Sequence, residues 1–264
     1  MLNMLVCVKQ VPDTTNIKID PVTNTLIREG VPSIVNPFDA YALEVAVGVK
    51  EKYGGTVTVV SMGPPQAKEA LKECLSKGAD KAYLMTDRAV GGSDTLATSY
   101  ILSCVVRKLG PFDIIFCGKQ AIDGDTGQVG PEMAQHLGFP QITYATAVDC
   151  ADGKLQVRRE IDEGWEVIGT TLPAIVTVNK TEKEPRMATL RSRMAANRAV
   201  IEEIHCADIA DMDMDRVGLK GSPTKVRRTF VPDRSKNGIK IQGKDAEDSA
   251  KELVDLLAEK HLIS

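Results

Sequence analysis

The sequence predicts an α/β fold: a doubly wound, mostly parallel, Rossmann-like sheet of the adenine-nucleotide-binding type. An added β excursion and an extended C-terminal arm ending in a helix complete it. Three observations carry this reading. Apolar runs of strand length alternate with amphipathic segments over the first 140 residues. Glycine-rich loops recur where those runs end. Beyond residue 180 the apolar periodicity fades and returns only near the C-terminus.

Taken in order, NMLVCVK (3–9) is a continuous apolar run and predicts a first buried strand. An irregular, hairpin-like stretch follows. In PFDAYALEVAVGVKEKYGG (37–55), Ala42, Val45, Ala46 and Val49 fall at helical spacing, and Gly54-Gly55 stops the helix. TVTVVSMG (56–63) is β-branched and predicts a strand. PPQAKEALKECLSKGAD (64–80) opens on proline and predicts a helix ending at Gly78. KAYLMT (81–86) predicts a strand, SDTLATSYILSCVVRKLG (93–110) a helix capped by Ser93 or Asp94, and FDIIFCG (112–118) a strand. A fourth helix is predicted over about 126–138. This alternation implies right-handed crossovers, with helices on both faces of the sheet.

After Pro140 the pattern changes. ITYATAVDC, KLQVRREID, WEVIGTTL and AIVTVNK are β-rich and separated by turn residues, and predict additional strands or a hairpin excursion. Residues 181–243 are polar and loop-rich, with little core of their own. AEDSAKELVDLLAEKHLI (246–263) predicts an amphipathic helix with Ala250, Leu253, Leu256, Leu257 and Leu262 on one face. Either the body of the chain or a partner subunit must cover that face, and the partner is the preferred reading.

Composition narrows the function classes. The chain has 264 residues, 43% hydrophobic and 26% charged, an ordinary globular balance. A net charge of −3 argues against general nucleic-acid binding. Only 4% is aromatic, so the core is expected to be aliphatic. The six cysteines are scattered without a CxxC pair, and Cys7, Cys104 and Cys117 sit in apolar runs. They read as buried thiols of a reducing compartment rather than as disulfides or metal ligands. No run reaches the roughly 18–20 apolar residues that span a bilayer. MLNMLVCVKQ reads as a strand and not a leader, so a cytoplasmic location is expected, or an organelle matrix if a transit peptide is lost.

In parallel sheets ligands bind beyond the C-terminal strand ends. Four such ends carry polar groups here: VKQVPD, VSMGPP, TDRAVGGSDT and CGKQAIDGDTGQ. The last belongs to CGKQAIDGDTGQVGP (117–131), which holds four glycines between a strand and a helix. Strand, glycine-rich loop and helix start together suit phosphate, because free N–H groups and the helix dipole favour an anion. Thr126 and Gln128 can donate and Lys119 can add charge. The loop is neither a Walker motif nor GxGxxG. Asp123 and Asp125 oppose phosphate unless turned away, and taken alone the loop is equally a tight βα turn. NPFD (36–39) and GGSDT (91–95) add turn and capping chemistry at the same edge. Together the three favour a nucleotide pocket without choosing the nucleotide.

Five separated motifs then match one family in order: VCVKQVPD (6–13), NPFDAYALE (36–44), GKQAIDGDTGQ (118–128), VRREIDEGWEVIGTTLPAIVT (157–177) and EPRMATLRSRM (184–194). The chain resembles, along its whole length, the β subunit of electron transfer flavoproteins. The resemblance implies a heterodimer with an electron transfer flavoprotein alpha subunit that carries one FAD in a mobile domain. It implies a nucleotide (FAD/AMP)-binding domain over 1–189, and over 190–264 a partner-docking loop and an arm packed on the alpha subunit. REGVPSIVNP (28–37), VSMGPPQA (60–67), the small residues of DGDTGQVGP and GLKGSPTKV (218–226) resemble the electron-bifurcating group. In that group the β site holds FAD, takes a hydride from NADH, and serves ferredoxin or flavodoxin on one side. On the other side it serves an acyl-CoA dehydrogenase-type flavoenzyme. The alternative is a non-bifurcating carrier with AMP in the β site. An ATP-using ligase or stress-type ATP-binding protein on the same fold is the remaining class, and no pyrophosphate or Walker loop supports it.

By motif position, the resemblance implies that Val8 and Lys9 lie near the adenosine, and that Asn36 and Asp39 line its adenine or ribose side. Met62 and Gly63 pack at the second strand end. Ser93, Asp94 and Thr95 reach towards the flavin or its pyrophosphate. Gly118, Asp123, Gly124, Thr126, Gly127, Gln128 and Val129 cradle phosphates. Glu160 matches the acid that meets the mobile alpha-subunit domain, and Leu190 the anchor that docks the dehydrogenase. No side chain is implied as a covalent catalyst, since the flavin carries the redox chemistry. His136, His205 and His261 read as surface or helix residues, Trp165 as a packing or interface aromatic, and KVRRTF (225–230) as a solvated or partner-facing arm.

Overall fold

The computed structural model describes residues 1–13, 18–19, 26–27, 32–151, 153–227 and 238–263. Residues 28–31 of the REGVPSIVNP stretch and 228–230 of the KVRRTF run lie outside the described residues. The chain forms two units, Met1–Arg227 and Arg228–Ser264.

In the first unit β1 (Leu2–Cys7) leads into four short strands, β2 (Gln10–Pro12), β3 (Lys18–Ile19), β4 (Leu26–Ile27) and β5 (Ser33–Val35). They pair as two antiparallel ribbons, β2 with β5 and β3 with β4. The predicted alternation follows: α1 (Pro37–Tyr53), β6 (Gly55–Met62), α2 (Lys68–Ser76), β7 (Lys81–Met85), α3 (Thr95–Leu109), β8 (Ile114–Gly118) and α4 (Val129–Leu137). Pro37 sits in the first turn of α1, where its missing N–H costs nothing. The Asp94 carboxylate caps α3 by accepting from the Ala97 N–H at 3.1 Å. The Pro64-Pro65 pair delays α2, and a single 3₁₀ turn at Pro65–Ala67 precedes it.

β9 (Gln141–Ala151), β10 (Lys154–Ile161), β11 (Gly164–Thr171) and β12 (Ala174–Val178) come next, then α5 (Leu190–Arg198), β13 (Glu202–Ile204) and α6 (Gly218–Gly221). One nine-stranded sheet has the order β11-β10-β9-β12-β8-β1-β6-β7-β13. Only the β9–β10 and β10–β11 pairs are antiparallel, and the other neighbours are parallel. The doubly wound α/β fold is therefore the fold of this chain.

Alternation along β1 shows how the layers form. Met4, Val6 and Val8 face a core built with α1 and α2, while Leu5 and Cys7 face one built with α3 and α4. All six cysteines are buried and free, as small apolar fillers of these layers. Phe116, Leu71 and Ile101 are fully buried, each stabilising the fold by about 1.5–3 kcal/mol relative to exposure.

The structure chooses between the two readings of one segment and corrects another. AIVTV is an additional strand and not part of an excursion: β12 lies between β9 and β8, with all five residues buried. A mostly apolar, β-branched run, broken only by Thr177, is the pattern of a strand covered on both faces. The excursion is the β10–β11 hairpin, whose outer strand exposes Trp165 and Val167. Residues 190–227 are not an arm. β13 extends the sheet beside β7, and Ile204, Cys206, Ile209, Met212 and Val217 enter the α3–α4 core. Their apolar residues are spaced too irregularly to show a helix or strand period, so the sequence boundary at 189/190 falls well before the division after Arg227.

In the second unit α7 (Ala246–Glu259) starts at Asp245, whose carboxylate accepts from the Asp248 N–H at 2.8 Å. Leu253, Val254, Leu262 and Ile263 are exposed along this segment. Among the described residues no helix is long and apolar enough to cross a membrane.

Candidate functional site

The strand order β8-β1-β6-β7 sets the predicted strand ends side by side, and the start of α1 ties two of them together. Asn36 and Asp39 do the tying. The Asp39 carboxylate accepts from the Lys9 N–H at 2.7 Å and from the Gly118 N–H at 3.1 Å, so it bridges the ends of β1 and β8. The Asn36 amide donates to the Gln120 carbonyl at 2.8 Å and accepts from the Ile122 N–H at 3.2 Å. Asn36 is fully buried and Asp39 nearly so. Burial pushes the Asp39 carboxyl up to about 7, against the hydrogen bonds from Asn36, Lys9 and Gly118. Gly118 is glycine because a Cβ there would stand 2.2 Å from Asp39 Oδ1. These side chains build the site's frame, their polar atoms engaged on the protein itself.

The loop after β8 is shaped by local bonds. Gly124 and Asp125 both donate N–H to the Ala121 carbonyl, at 3.1 and 2.8 Å. Asp125 takes φ 52°, and its carboxylate accepts from Gln120 at 2.8 Å. Gly127 takes φ 64°, which glycine adopts without strain. Lys9 Nζ stands 2.6 Å from Asp123 Oδ1 and 2.8 Å from Oδ2. The charge of Asp123 is thus met by a lysine, and the Asp125 carboxylate is turned onto the Gln120 amide. α4 begins at Val129 with Gln128 at its cap position and no side-chain cap. Its first N–H groups point along the loop with the positive end of the dipole. A Cβ at Gly124 would meet nothing within 4 Å, so the loop is open on that side. Thr126 and Gln128 are exposed beside it.

α3 closes the edge. The Thr95 hydroxyl donates towards Gln128 Oε1 at 3.1 Å and Glu132 Oε1 at 3.3 Å. Glu132 Oε2 is buried with no hydrogen-bond partner among the described residues, and burial raises this carboxyl. Asp94 looks elsewhere. Beyond its cap bond its carboxylate accepts from the Thr224 N–H at 2.9 Å, and its own N–H donates to Ser222 at 2.9 Å. Burial would raise Asp94, but the bonds from Thr224, Ala97 and Ser222 prevail and lower it. Ser93 turns back onto the Val90 carbonyl at 2.7 Å. Val8 is buried in the core and Gly63 donates its N–H to Met85 at 3.0 Å, with Met62 half-buried before it.

Hydrogen bonds therefore connect Lys9, Asn36, Asp39, Gly118, Asp123, Gln128 and Thr95 around one loop. Val8, Met62, Gly63, Ser93 and Asp94 flank it at neighbouring strand ends. Glu160 lies on β10 and accepts from the Asn179 amide just beyond β12. Leu190 is separate. It opens α5, which packs on α2, and it is 78% exposed. Met187 and Met194, three residues before and four after it, are exposed too.

Sequence reasoning missed three groups at this edge. Tyr144 takes φ 58° where β9 shifts register against β10 and β12. Its exposed ring has Lys119 Nζ 5.1 Å and the Arg159 guanidinium 5.9 Å from the centroid. A tyrosine in a predicted strand carries no signal of a bulge. Asn179 was hidden as the tail of an apolar run. Glu132 read as one more acid in a helix, although it sits in the first turn, where the dipole favours it.

Among the described residues no group of side chains could hold a metal ion. Residues 23–209 match the family model described as the electron transfer flavoprotein domain. The chain is 47% identical over 262 residues to the electron transfer flavoprotein subunit beta of Thermoanaerobacterium thermosaccharolyticum, covering 99% of this chain and 100% of that one. It is 46% identical over 263 residues to the caffeyl-CoA reductase-Etf complex subunit CarD of Acetobacterium woodii, covering 99% and 100%. To protein FixA of Bradyrhizobium diazoefficiens it is 43% identical over 264 residues, covering 97% and 91%.

Proposed function

The chain belongs to the electron transfer flavoproteins, as a β subunit, and from that premise we propose that its strand-end loop binds FAD for an electron-bifurcating reaction driven by NADH. One observation carries this reading. Lys9 and Gln120 hold the two loop acids, Asn36 and Asp39 hold the loop backbone, and residues 126–129 are left to face an anion at the uncapped start of α4. The residues fit the diphosphate of a dinucleotide: N–H donors, the hydroxyl of Thr126, the amide of Gln128 and an open glycine side.

In this reading the Asn36–Asp39 frame keeps the loop in one shape, so little conformational entropy is lost on binding. Lys9 holds the charge of Asp123 away from the phosphates. Thr95 and Gln128 line the α3–α4 side, with Glu132 behind them. Val8, Met62 and Gly63 form the apolar floor for the adenosine. When bound, FAD supplies hydride acceptance and the passage of electrons onward. Glu160 faces the cofactor domain of the alpha subunit, and Leu190 docks an acyl-CoA dehydrogenase-type flavoenzyme. Ferredoxin or flavodoxin is the low-potential acceptor. The relatives named for a caffeyl-CoA reductase complex and as FixA support a dehydrogenase-linked assembly.

The test is a cofactor count. The chain is co-expressed with its alpha partner, the heterodimer is denatured, and FAD and AMP are quantified by chromatography. Two FAD and no AMP are expected per heterodimer. One FAD and one AMP would overturn the bifurcating reading and leave a plain electron carrier.

A further inference from the structure

α1 carries a second buried acid, and it faces away from the loop just described. The Glu44 side chain is 3% exposed. Its carboxylate accepts from the Arg186 backbone N–H at 3.0 Å, from Arg186 Nε at 2.8 Å and from an Arg186 Nη at 3.2 Å. Lys183 Nζ lies 2.6 Å from Glu44 Oε1. Arg186 turns its outer edge to Glu51 on the same helix, at 2.5 and 3.0 Å. The Tyr41 hydroxyl donates to Glu184 at 2.5 Å. Residues 41, 44 and 51 share one face of α1 at helical spacing. Together they grip Lys183, Glu184 and Arg186.

The gripped segment ends where the exposed docking helix begins. Thr189 caps α5 by accepting from the Ser192 N–H at 3.1 Å, and Leu190 is the first residue of that helix. Three residues separate Arg186 from Leu190, which leaves the chain little freedom to reorient the helix. A buried ion pair is a poor source of stability, since well-packed apolar residues commonly serve as well. What an arginine fork adds is direction, because its planar donors meet two carboxylates at set angles. A fork placed just before an exposed apolar anchor is suited to aiming it.

We propose that the Glu44–Arg186–Glu51 clasp, with Tyr41–Glu184 beside it, is a positioning device that sets the pose of the Leu190 helix for partner docking. The proposal rests on the reading of Leu190 as a docking anchor. Glu44, Glu51 and Arg186 act through that helix and touch no cofactor.

The test uses the heterodimer, with a purified short-chain acyl-CoA dehydrogenase as the docking probe. Arg186→Lys keeps the charge and loses the fork. It is expected to raise the KM for the dehydrogenase about tenfold, the loss of one well-placed interaction of about 1.4 kcal/mol. Under the proposal kcat and the bound nucleotide content stay unchanged, while amide hydrogen exchange over 189–198 becomes faster. Glu51→Gln, at an exposed acid, folds in any case and is expected to raise KM about two- to threefold. Faster exchange with unchanged KM in both variants overturns the proposal, because the clasp then holds the chain without aiming it. Leu190→Ala is the control. If it too leaves KM unchanged, the docking reading itself fails and the clasp loses its role with it.

Discussion

Asp39 and Glu44 stand about one and a half turns apart on α1, both buried, and their carboxyls shift in opposite directions. Asp39 meets neutral donors, the N–H groups of Lys9 and Gly118 and the Asn36 amide, and burial prevails to raise it to about 7. Glu44 is also penalised by burial, but the Arg186 and Lys183 cations overcome that penalty and hold it below its ordinary value. The one helix carries two kinds of anchor. At its start an acid bonded to backbone N–H groups frames a loop. Further along, an acid locked to an arginine fork grips a segment from the far side of the sequence. Two causes act together: Asp39 is bonded mainly by neutral groups and bears the heavier burial penalty, while Glu44 is bonded to two cations and bears a lighter one.

The largest way to break this comparison is to remove the cations' share. Arg186→Ala leaves Glu44 buried with only Lys183 and is expected to cost about 3–5 kcal/mol in urea unfolding. A loss below about 1 kcal/mol would mean that the arginine is not what keeps Glu44 ionised. Next in size is Gly118→Ala. Its Cβ would overlap Asp39 Oδ1, and the backbone can relieve it only by moving β8 off α1. About 3 kcal/mol is expected, with loss of bound nucleotide from the purified heterodimer.

Asp39→Asn sharpens the contrast through pH. In the unaltered protein the folded state holds a proton on Asp39 between the ordinary carboxyl value of 3.8 and about 7, where the unfolded chain has released it. The Asp39 contribution to stability therefore falls as pH rises across that window and is level above it. Glu44 runs the other way. Its contribution is complete above its ordinary value of 4.5 and is lost as pH falls through its lowered folded value. Urea midpoints from pH 4.5 to 8 should decline in the unaltered protein and stay flatter in Asp39→Asn. Equal slopes would remove Asp39 as the source. The smallest effect is expected from Lys9→Met, which frees the charge of a half-exposed pair. It should leave stability within about 0.5 kcal/mol and weaken nucleotide retention several-fold, read by equilibrium dialysis.

Much of the candidate site's local geometry was legible because its signals are local. Asn36-Pro37, the glycines of 118–130 and the Asp94 cap each act within a few residues, and short-range backbone geometry decides them. The roles of the same residues were less legible. Asn36 and Asp39 appeared as ligand-lining groups because the sequence does not show that Lys9, Gly118 and Gln120 take up their polar atoms. Tyr144 and Glu132 were missed because a register shift and an orphaned oxygen are properties of neighbours far along the chain.

The sequence by itself determined the alternating strands and helices, the two-faced sheet and the family, since apolar periodicity and turn chemistry are written locally. Only the tertiary structure decided that β12 belongs to the centre of the sheet and that 190–227 closes its far edge. It also decided that one helix holds both the loop and the segment that leads into α5. Glu44 and Arg186 are 142 positions apart, and their pairing depends on where the sheet carries the chain. A long-range ion pair has no sequence period, so nothing short of the folded backbone brings it into view.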